Sequence, residues 1–223
     1  MKTRMFAALL ILCAAPLAAQ APTNSAIAPI SPPPPPVAQA HSSDLGFSYS
    51  LPSDWVVVDT KPMLPAALQQ AARNYGSEAE KLVACMQLPL RAHHSNPPSV
   101  IAVVGLSFDC VGHSYTAADL PSIASGVTEG MKKSIEIASP VINTFTLGTH
   151  SLWIERSSGS LIAHPEIKRT VETVYSILKK GVVCLVTMAA DDAALQTFES
   201  GAVTLDDDAA TALVPANALQ KKP

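Results

Sequence analysis

The sequence lacks any complete catalytic, metal-binding or phosphate-binding motif, so no reaction, metal ion or cofactor is predicted from it. Charged residues are scarce, at 15% of the chain against 48% hydrophobic residues, and this balance argues against intrinsic disorder over most of its length. Basic residues number 15 against 18 acidic ones, which argues against a nucleic-acid partner. No internal repeat is present, so a repeat architecture is not expected.

The N-terminus predicts an export signal. Lys2 and Arg4 precede an apolar run over residues 5–15, which is too short to span a bilayer comfortably, and small residues follow up to Ala21. Residues 1–21 are therefore predicted to be a signal peptide. The mature protein is expected in the periplasm or outside the cell, with no membrane span left after cleavage. Loss of both basic residues leaves 13 against 18 acidic ones, a net charge near −5.

The cleavage site and the state of the first cysteine stay open at this stage. Ala19 and Ala21 satisfy the rule of small residues before a cut, but Pro22 would follow it and is poorly accepted there. Cys13 raises the alternative of a lipoprotein. Leu12 disfavours that alternative, because lipid attachment requires a small residue before the cysteine.

Proline dominates the segment that follows. Residues 32–36 are all proline and are confined to polyproline II geometry, so residues 22–45 are predicted to be a stiff, disordered spacer. Docking of the proline run on an aromatic groove is the alternative. Residues 46–202 are long enough for one domain with its own core, and residues 203–223 are predicted to be a loosely ordered tail.

Short turns between the predicted strands favour an antiparallel sheet. Strands are predicted over 46–51, 55–58, 81–90, 100–108, 141–147, 151–157, 167–178 and 182–188, and the third and fourth of these are expected to form a hairpin. Apolar residues at helical spacing predict helices over 64–75 and 116–135 and from Asp191 onward. The predicted class is α+β, with a single, mainly antiparallel sheet of about seven to eight strands and helices packed on it.

The head of this domain resembles that of the PsbP-like superfamily. The segment FSYSLPSDW over residues 47–55 has an aromatic-rich first strand, a proline turn and a tryptophan that opens the second strand. The resemblance covers roughly residues 46–200. It implies a PsbP-like sandwich of helices on an antiparallel sheet and a role in binding, and it transfers no catalytic residue to this chain.

Three cysteines remain after removal of the signal, and they allow three different single disulfides. The pair Cys85 and Cys110 is favoured because both are expected on neighbouring strands and because an exported protein meets oxidising conditions. Cys184 lies within an apolar strand and is interpreted as a buried thiol.

Residues 112–116, with the sequence GHSYT, match four of the five positions of a hydrolase nucleophile elbow around Ser114. Thr116 replaces the final glycine, and the elbow also requires a parallel sheet with a downstream acid and histidine. A helix-capping turn is therefore favoured. A secreted hydrolase that uses Ser114 or a histidine site is the alternative function.

The histidines do not show metal-ligand spacing. His93 and His94 are adjacent and would point apart on an extended chain, and neither His150 nor His164 has a helical partner. The acidic run 206–208 lacks the glycine and the later glutamate of a calcium loop, so it is interpreted as part of a solvated tail.

One strand carries polar residues on both of its faces. Strand alternation places Trp153 and Glu155 on one face and Ile154 and Arg156 on the other. On the strand expected to pair with it, Arg169, Glu172 and Tyr175 are available to interact with these charges. Cross-strand ion pairing is the favoured interpretation. The alternative is an exposed aromatic and acidic patch of Trp153, Glu155 and Tyr175 that binds a partner.

These observations together predict an exported, non-enzymatic binding or assembly protein of the cell envelope. Its expected partner is another protein of the envelope or the extracellular space, and no cofactor is expected. A purely structural envelope component is a further alternative.

Overall fold

The computed structural model describes residues 39–51, 54–61, 65, 66, 69, 73, 77–206, 208 and 211–213. The strands are β1 (Gln39–Ser42), β2 (Phe47–Leu51), β3 (Val56–Val57), β4 (Met86–Ser95), β5 (Pro98–Ser107), β6 (Ile135–Ile137), β7 (Val141–Leu147), β8 (His150–Leu161), β9 (His164–Ile177), β10 (Gly181–Ala189), β11 (Ala202–Leu205) and β12 (Thr211–Ala212). The helices are α1 (Ser77–Ala84), α2 (Phe108–Val111), α3 (Leu120–Met131) and α4 (Asp192–Glu199), and a 3₁₀ turn (Ala117–Asp119) leads into α3.

The larger sheet has eight strands in the order β3-β4-β5-β10-β9-β8-β6, with β7 also paired to β8. All of its strand pairs are antiparallel, because short turns connect most neighbours. The predicted α+β class with a mainly antiparallel sheet of seven to eight strands is therefore confirmed. A second, four-stranded sheet in the order β1-β2-β11-β12 was not predicted.

Each face of the larger sheet carries its own core. On one face α1 and α3 pack against it, with Ile123 and Val127 of α3 fully buried. The small sheet and α4 cover the opposite face, where the Tyr49 hydroxyl donates a hydrogen bond of 2.9 Å to the Phe198 carbonyl. The molecule is thus layered as helices, large sheet, and small sheet with one helix.

A β-bulge lets one strand contribute to both cores. Met86 and Leu88 of β4 belong to the core under the helices, whereas Leu90 and Ala92 belong to the core under the small sheet. The register between β4 and β5 shifts between Gln87 and Leu90, and Pro89, which has no N–H to donate, lies within that shift. The extra residue turns the side chains that follow to the other face.

Several predicted boundaries need correction. The β4-β5 hairpin is confirmed, but residues 81–84 belong to α1 and not to a strand. The helix predicted over 116–135 consists of the 3₁₀ turn and α3 and ends at Met131. Of the helix predicted over 64–75, residues 65, 66, 69 and 73 are helical, and the rest lies outside the described residues.

The folded region also extends past both predicted ends. The predicted signal peptide 1–21 and most of the spacer 22–45 lie outside the described residues. β1 and the buried Leu45 nevertheless fall within that spacer range, and β11 and β12 fall within the segment 203–223 predicted as a tail. β1 and β11 both pair with β2, and β12 pairs with β11. The small sheet that they form buries apolar side chains of β2 and α4.

The disulfide between Cys85 and Cys110 is present, with the two Cα atoms 5.4 Å apart. The predicted pair is confirmed, although the cysteines do not lie on strands. Cys85 lies between α1 and β4, and Cys110 lies in α2, directly after β5. They meet because β4 and β5 are paired, which brings the start of one strand beside the end of the other. Cys184 is buried, as expected.

Candidate functional site

Trp153, Glu155 and Tyr175 come together on the face of the sheet that α3 covers. Trp153 of β8 lies directly opposite Tyr175 of β9, and Glu155 is two residues further along β8. Tyr175 has no exposed surface, Glu155 is 8% exposed, and Trp153 is half-buried. The sequence therefore grouped these three side chains correctly, but as a cluster that is largely covered.

The predicted exposure of Tyr175 is not observed. β9 is an inner strand, and the ring lies in the core between the sheet and the helices, so burial raises the pKa of its hydroxyl well above the ordinary value. Thr173 and Cys184 are the polar neighbours of its hydroxyl. A partner cannot reach this ring, which leaves Trp153 and Glu155 as the accessible part of the group.

Glu155 is held by two neutral donors. Thr128 of α3 donates to its Oε2 atom at 2.9 Å, and the indole N–H of Trp153 donates to Oε1 at 3.2 Å. Both carboxylate oxygens thus accept a hydrogen bond. Over the part of the chain that the structure describes, Glu155 forms no ion pair with a basic side chain. Its charge is buried without a cation, which proteins avoid.

A small pocket opens beside this carboxylate, and we call it the Glu155 pocket. Its polar lining consists of Thr128, Glu155, Ser157 and Thr173, and apolar residues such as Ile137 and Pro140 complete it. The pocket has a free volume of about 10 Å³, which is room for one water-sized group. The Thr173 hydroxyl is buried beside that of Tyr175. The pocket therefore offers a carboxylate acceptor in a very small volume.

β7 lies next to this pocket and forms an edge of the large sheet. Among the described strands it pairs only with β8, with Ile142 opposite Glu155 and Thr144 opposite Trp153. Residues directly opposite in an antiparallel pair share a face, so Ile142 lies on the Glu155 side. Val141 and Ile142 are 61% and 48% exposed, and β7 contains no charged residue.

The opposite face of the same strands carries an ionic cluster. Nε and Nη2 of Arg156 donate to Glu172 Oε2 at 3.1 and 3.0 Å, and Nη2 also contacts Glu199 Oε1 of α4. The expected ion pair between Arg156 and Glu172 is therefore present, and Glu199 of α4 also contacts Arg156. Burial raises the pKa of Glu172 to about 7, and Arg156 opposes this shift in part. Two buried carboxylates thus share one guanidinium.

A second unexpected cluster joins the C-terminal strands to the large sheet. His150 donates from Nδ1–H to the Ile177 carbonyl at 3.1 Å, and its Nε2 lies 3.3 Å from Asp206 Oδ2 and 3.7 Å from Asp208 Oδ2. Asp206 also accepts from the Lys179 backbone N–H. The interpretation of 206–208 as a solvated tail is therefore wrong for Asp206, whose side chain is buried.

The other sequence candidates lie apart from the Glu155 pocket. Ser114 is exposed in the turn before α3, where Thr116 and Asp119 form a capping box, so the turn caps a helix as favoured. His94 pairs with Asp54 at 2.9 Å. Within the described residues no cluster of three or more histidine, cysteine or acidic side chains has a geometry that would hold a metal ion.

Sequence reasoning missed Thr128 and Thr173, which shape the pocket. Thr128 follows Val127 at the margin of the apolar stripe of α3, and Thr173 alternates with Val171 and Tyr175 on β9. Both patterns predict the face of each residue. Neither predicts how α3 lies across β8 and β9, which is what brings the two hydroxyls beside Glu155.

No family model and no curated protein matches the chain. Among solved structures, the chain is similar to cyanobacterial PsbP from Synechocystis sp. PCC 6803, with a TM-score of 0.40, 10% identity, and coverage of 78% of this chain and 92% of that one. It is also similar to LpqN of Mycobacterium tuberculosis, described as involved in cell envelope biogenesis, with a TM-score of 0.35, 15% identity and 72% coverage of each chain. The first belongs to the group that the sequence resembles. Both likenesses are distant, and the fold class rests on the strand order and register.

No helix among the described residues has the length and apolar character that a membrane crossing needs.

Proposed function

We propose that this chain is an exported, non-enzymatic binding protein of the cell envelope, which recognises another protein at the β7 edge and the adjoining Glu155 pocket. One observation carries the proposal: among the described residues, the buried Glu155 carboxylate has no cation beside it, and the neighbouring uncharged strand β7 is paired along one edge alone. A partner that supplies both a cation and a further strand would relieve these two unfavourable features.

The β7 edge supports protein binding in particular. Natural proteins protect edge strands with charges, proline or a covering element, because free N–H and C=O groups pair readily with another strand. β7 has no charge and no proline within its seven residues, Pro140 precedes it, and β8 is its one partner among the described strands. A strand from a partner would satisfy the free backbone groups and cover Val141 and Ile142.

The proposal of export is supported by the N-terminal pattern and by the disulfide. Lys2, Arg4 and the apolar run 5–15 have the order of a secretory signal. Disulfides such as Cys85–Cys110 persist mainly in oxidising compartments. The mass of the protein purified from an envelope fraction tests this part directly: a mature chain without residues 1–21, or cut within a few residues of Ala21, is expected.

The binding role is tested by affinity capture from the native envelope fraction with the mature chain as bait. Ile142→Lys places a charge on the Glu155 side of β7, and Ile162→Lys is the matched control, since Ile162 is 55% exposed in the turn between β8 and β9. The wild-type chain and the control should retain the same partner, and Ile142→Lys should lose about tenfold or more. Equal capture by all three chains, or capture of nothing, would refute the proposal.

A further inference from the structure

Glu155 has a different electrostatic environment from the other buried carboxylates of β8 and β9. Glu172 lies on the opposite face and receives two hydrogen bonds from Arg156. From the described residues, Glu155 receives the neutral hydroxyl of Thr128 and the indole N–H of Trp153. A carboxylate that is more than nine-tenths buried is strongly stabilised by a cation, and the described residues supply none here.

The size of the Glu155 pocket restricts which cation fits. Its free space holds one water-sized group. A lysine ammonium is a compact charge with three donors, whereas the guanidinium of arginine is a wide planar fork. Glu155 supplies carboxylate acceptors to the pocket, and Ser157 lines it with a hydroxyl. The acceptors and the volume both match an ammonium group.

The β7 edge provides a route for such a group. A strand added beside β7 would lie two strand spacings from β8, or roughly 9.6 Å from the Glu155 backbone. The Glu155 carboxylate is held by Thr128 of α3 and by the Trp153 indole, so a lysine of the added strand would reach it over β7 on the α3 side of the sheet. The lysine stem would cross the exposed side chain of Ile142, which lies between them on the same face.

We propose that the Glu155 pocket receives the ε-ammonium group of a lysine carried by an extended segment of the partner protein, which adds to the large sheet beside β7. This inference rests on the proposed function and names the chemistry of the partner at that site. A second copy of the chain that pairs through its own β7 does not meet the requirement, because β7 contains no lysine.

The probes are short blocked peptides of alternating threonine and valine with lysine, arginine or norleucine at the centre. The mature chain contains two tryptophans, Trp55 and Trp153, so its two indole N–H signals can be assigned with one Trp55→Phe variant. The Trp153 indole donates to Glu155 and reports directly on the pocket. Titration followed by NMR should show that the lysine peptide binds about tenfold or more tightly than the norleucine and arginine peptides.

Two variants locate the effect. Glu155→Gln keeps the shape of the side chain and should reduce the affinity for the lysine peptide to that of the norleucine peptide. Ile142→Lys places an ammonium of the chain itself beside Glu155 and should abolish the response of the Trp153 signal. If Glu155→Gln does not fold, the affinities of the wild-type chain for the three peptides are enough to test the inference.

Distinct results would overturn the inference. Equal affinities for the lysine, arginine and norleucine peptides, or an unchanged lysine affinity in Glu155→Gln, would show that the pocket does not select an ammonium. A lysine response that occurs only in a chain ending at Leu213 would assign the pocket to Lys221 or Lys222 of the same chain. Failure of these titrations leaves envelope capture through β7 standing, whereas failure of the capture experiment removes the proposed function itself.

Discussion

At the scale of residues, strand alternation separates two acidic side chains of neighbouring strands into different environments. Glu155 of β8 lies under α3, and Glu172 of β9 lies on the opposite face beside Arg156. Period-two alternation in the sequence predicts this separation. It does not predict that Tyr175 is fully buried or that Glu199 joins Arg156, because both depend on which helix covers each face.

Glu172 should make the stability of the protein depend on pH. The pKa of a glutamate is 4.5 in the reference state, and burial raises it to about 7 in the folded protein. Between these values the folded state holds a proton that the unfolded state has released, so stability falls as pH rises through this window. The full shift in the pKa of Glu172 corresponds to about 3 kcal/mol in the free energy of unfolding. Urea unfolding at pH 4 and at pH 8 measures it.

The Glu172→Gln variant isolates this contribution. Its stability relative to the wild type should rise by about 3 kcal/mol between pH 4 and pH 8, because glutamine mimics the protonated acid at every pH. Glu136→Gln, on the exposed part of β6, is the matched control and should leave the pH profile parallel to that of the wild type. A Glu172→Gln profile that is also parallel would contradict the assignment.

At the scale of elements, capping residues in the sequence predicted where helices begin more accurately than apolar patterns predicted where strands begin. Thr116 and Asp119 form the predicted capping box, and the Asp191 side chain accepts from the Ala194 N–H at 2.8 Å at the start of α4. Residues 81–84 were wrongly predicted as a strand. Leu82 and Val83 are adjacent and both buried, and a short apolar pair of this kind fits a helix and a strand equally well.

The disulfide joins α2 to the junction between α1 and β4, and its removal should destabilise the protein. Cys85 and Cys110 are 25 positions apart, and the entropy of closing a loop of this length corresponds to about 3 kcal/mol. The double variant Cys85→Ala and Cys110→Ala should therefore lose about this much in chemical unfolding. An unchanged free energy of unfolding would contradict this prediction. It would show that the β4-β5 hairpin alone keeps the two positions together.

A thiol assay on the mature chain provides the control for that experiment. Native wild-type protein should show no reactive thiol, since Cys85 and Cys110 are bonded and Cys184 is buried. Denaturation without reductant should reveal one thiol. Three thiols before reduction would mean that the disulfide is absent in solution.

At the scale of the whole molecule, the strands after α4 should be indispensable. Val203, Leu205 and Leu213 are buried in the core between the two sheets, and burial of an aliphatic side chain contributes about 1.5–3 kcal/mol. A chain that ends at Gly201, close to the boundary expected from the sequence, loses all three together with the Asp206 contact to His150. That loss approaches the total stability of an ordinary domain, about 5–15 kcal/mol.

Thermal unfolding followed by circular dichroism compares the two chain lengths. The chain that ends at Gly201 should show no cooperative transition, whereas a chain that ends at Leu213 should retain one. A cooperative transition of normal midpoint in the shorter chain would mean that β11 and β12 contribute little to the fold.

The sequence by itself determined the α+β class, the antiparallel pairing of the middle strands and the faces of Trp153, Glu155 and Arg156, because period, turn residues and caps act over a few neighbouring residues. It favoured one of three possible disulfides. Only the tertiary structure decided that a second sheet covers one core, that Tyr175 is buried, and that Thr128 and Thr173 flank Glu155 at a free edge. These outcomes depend on how elements far apart in the chain pack together. That packing is set by the summed burial of many side chains and not by any local pattern.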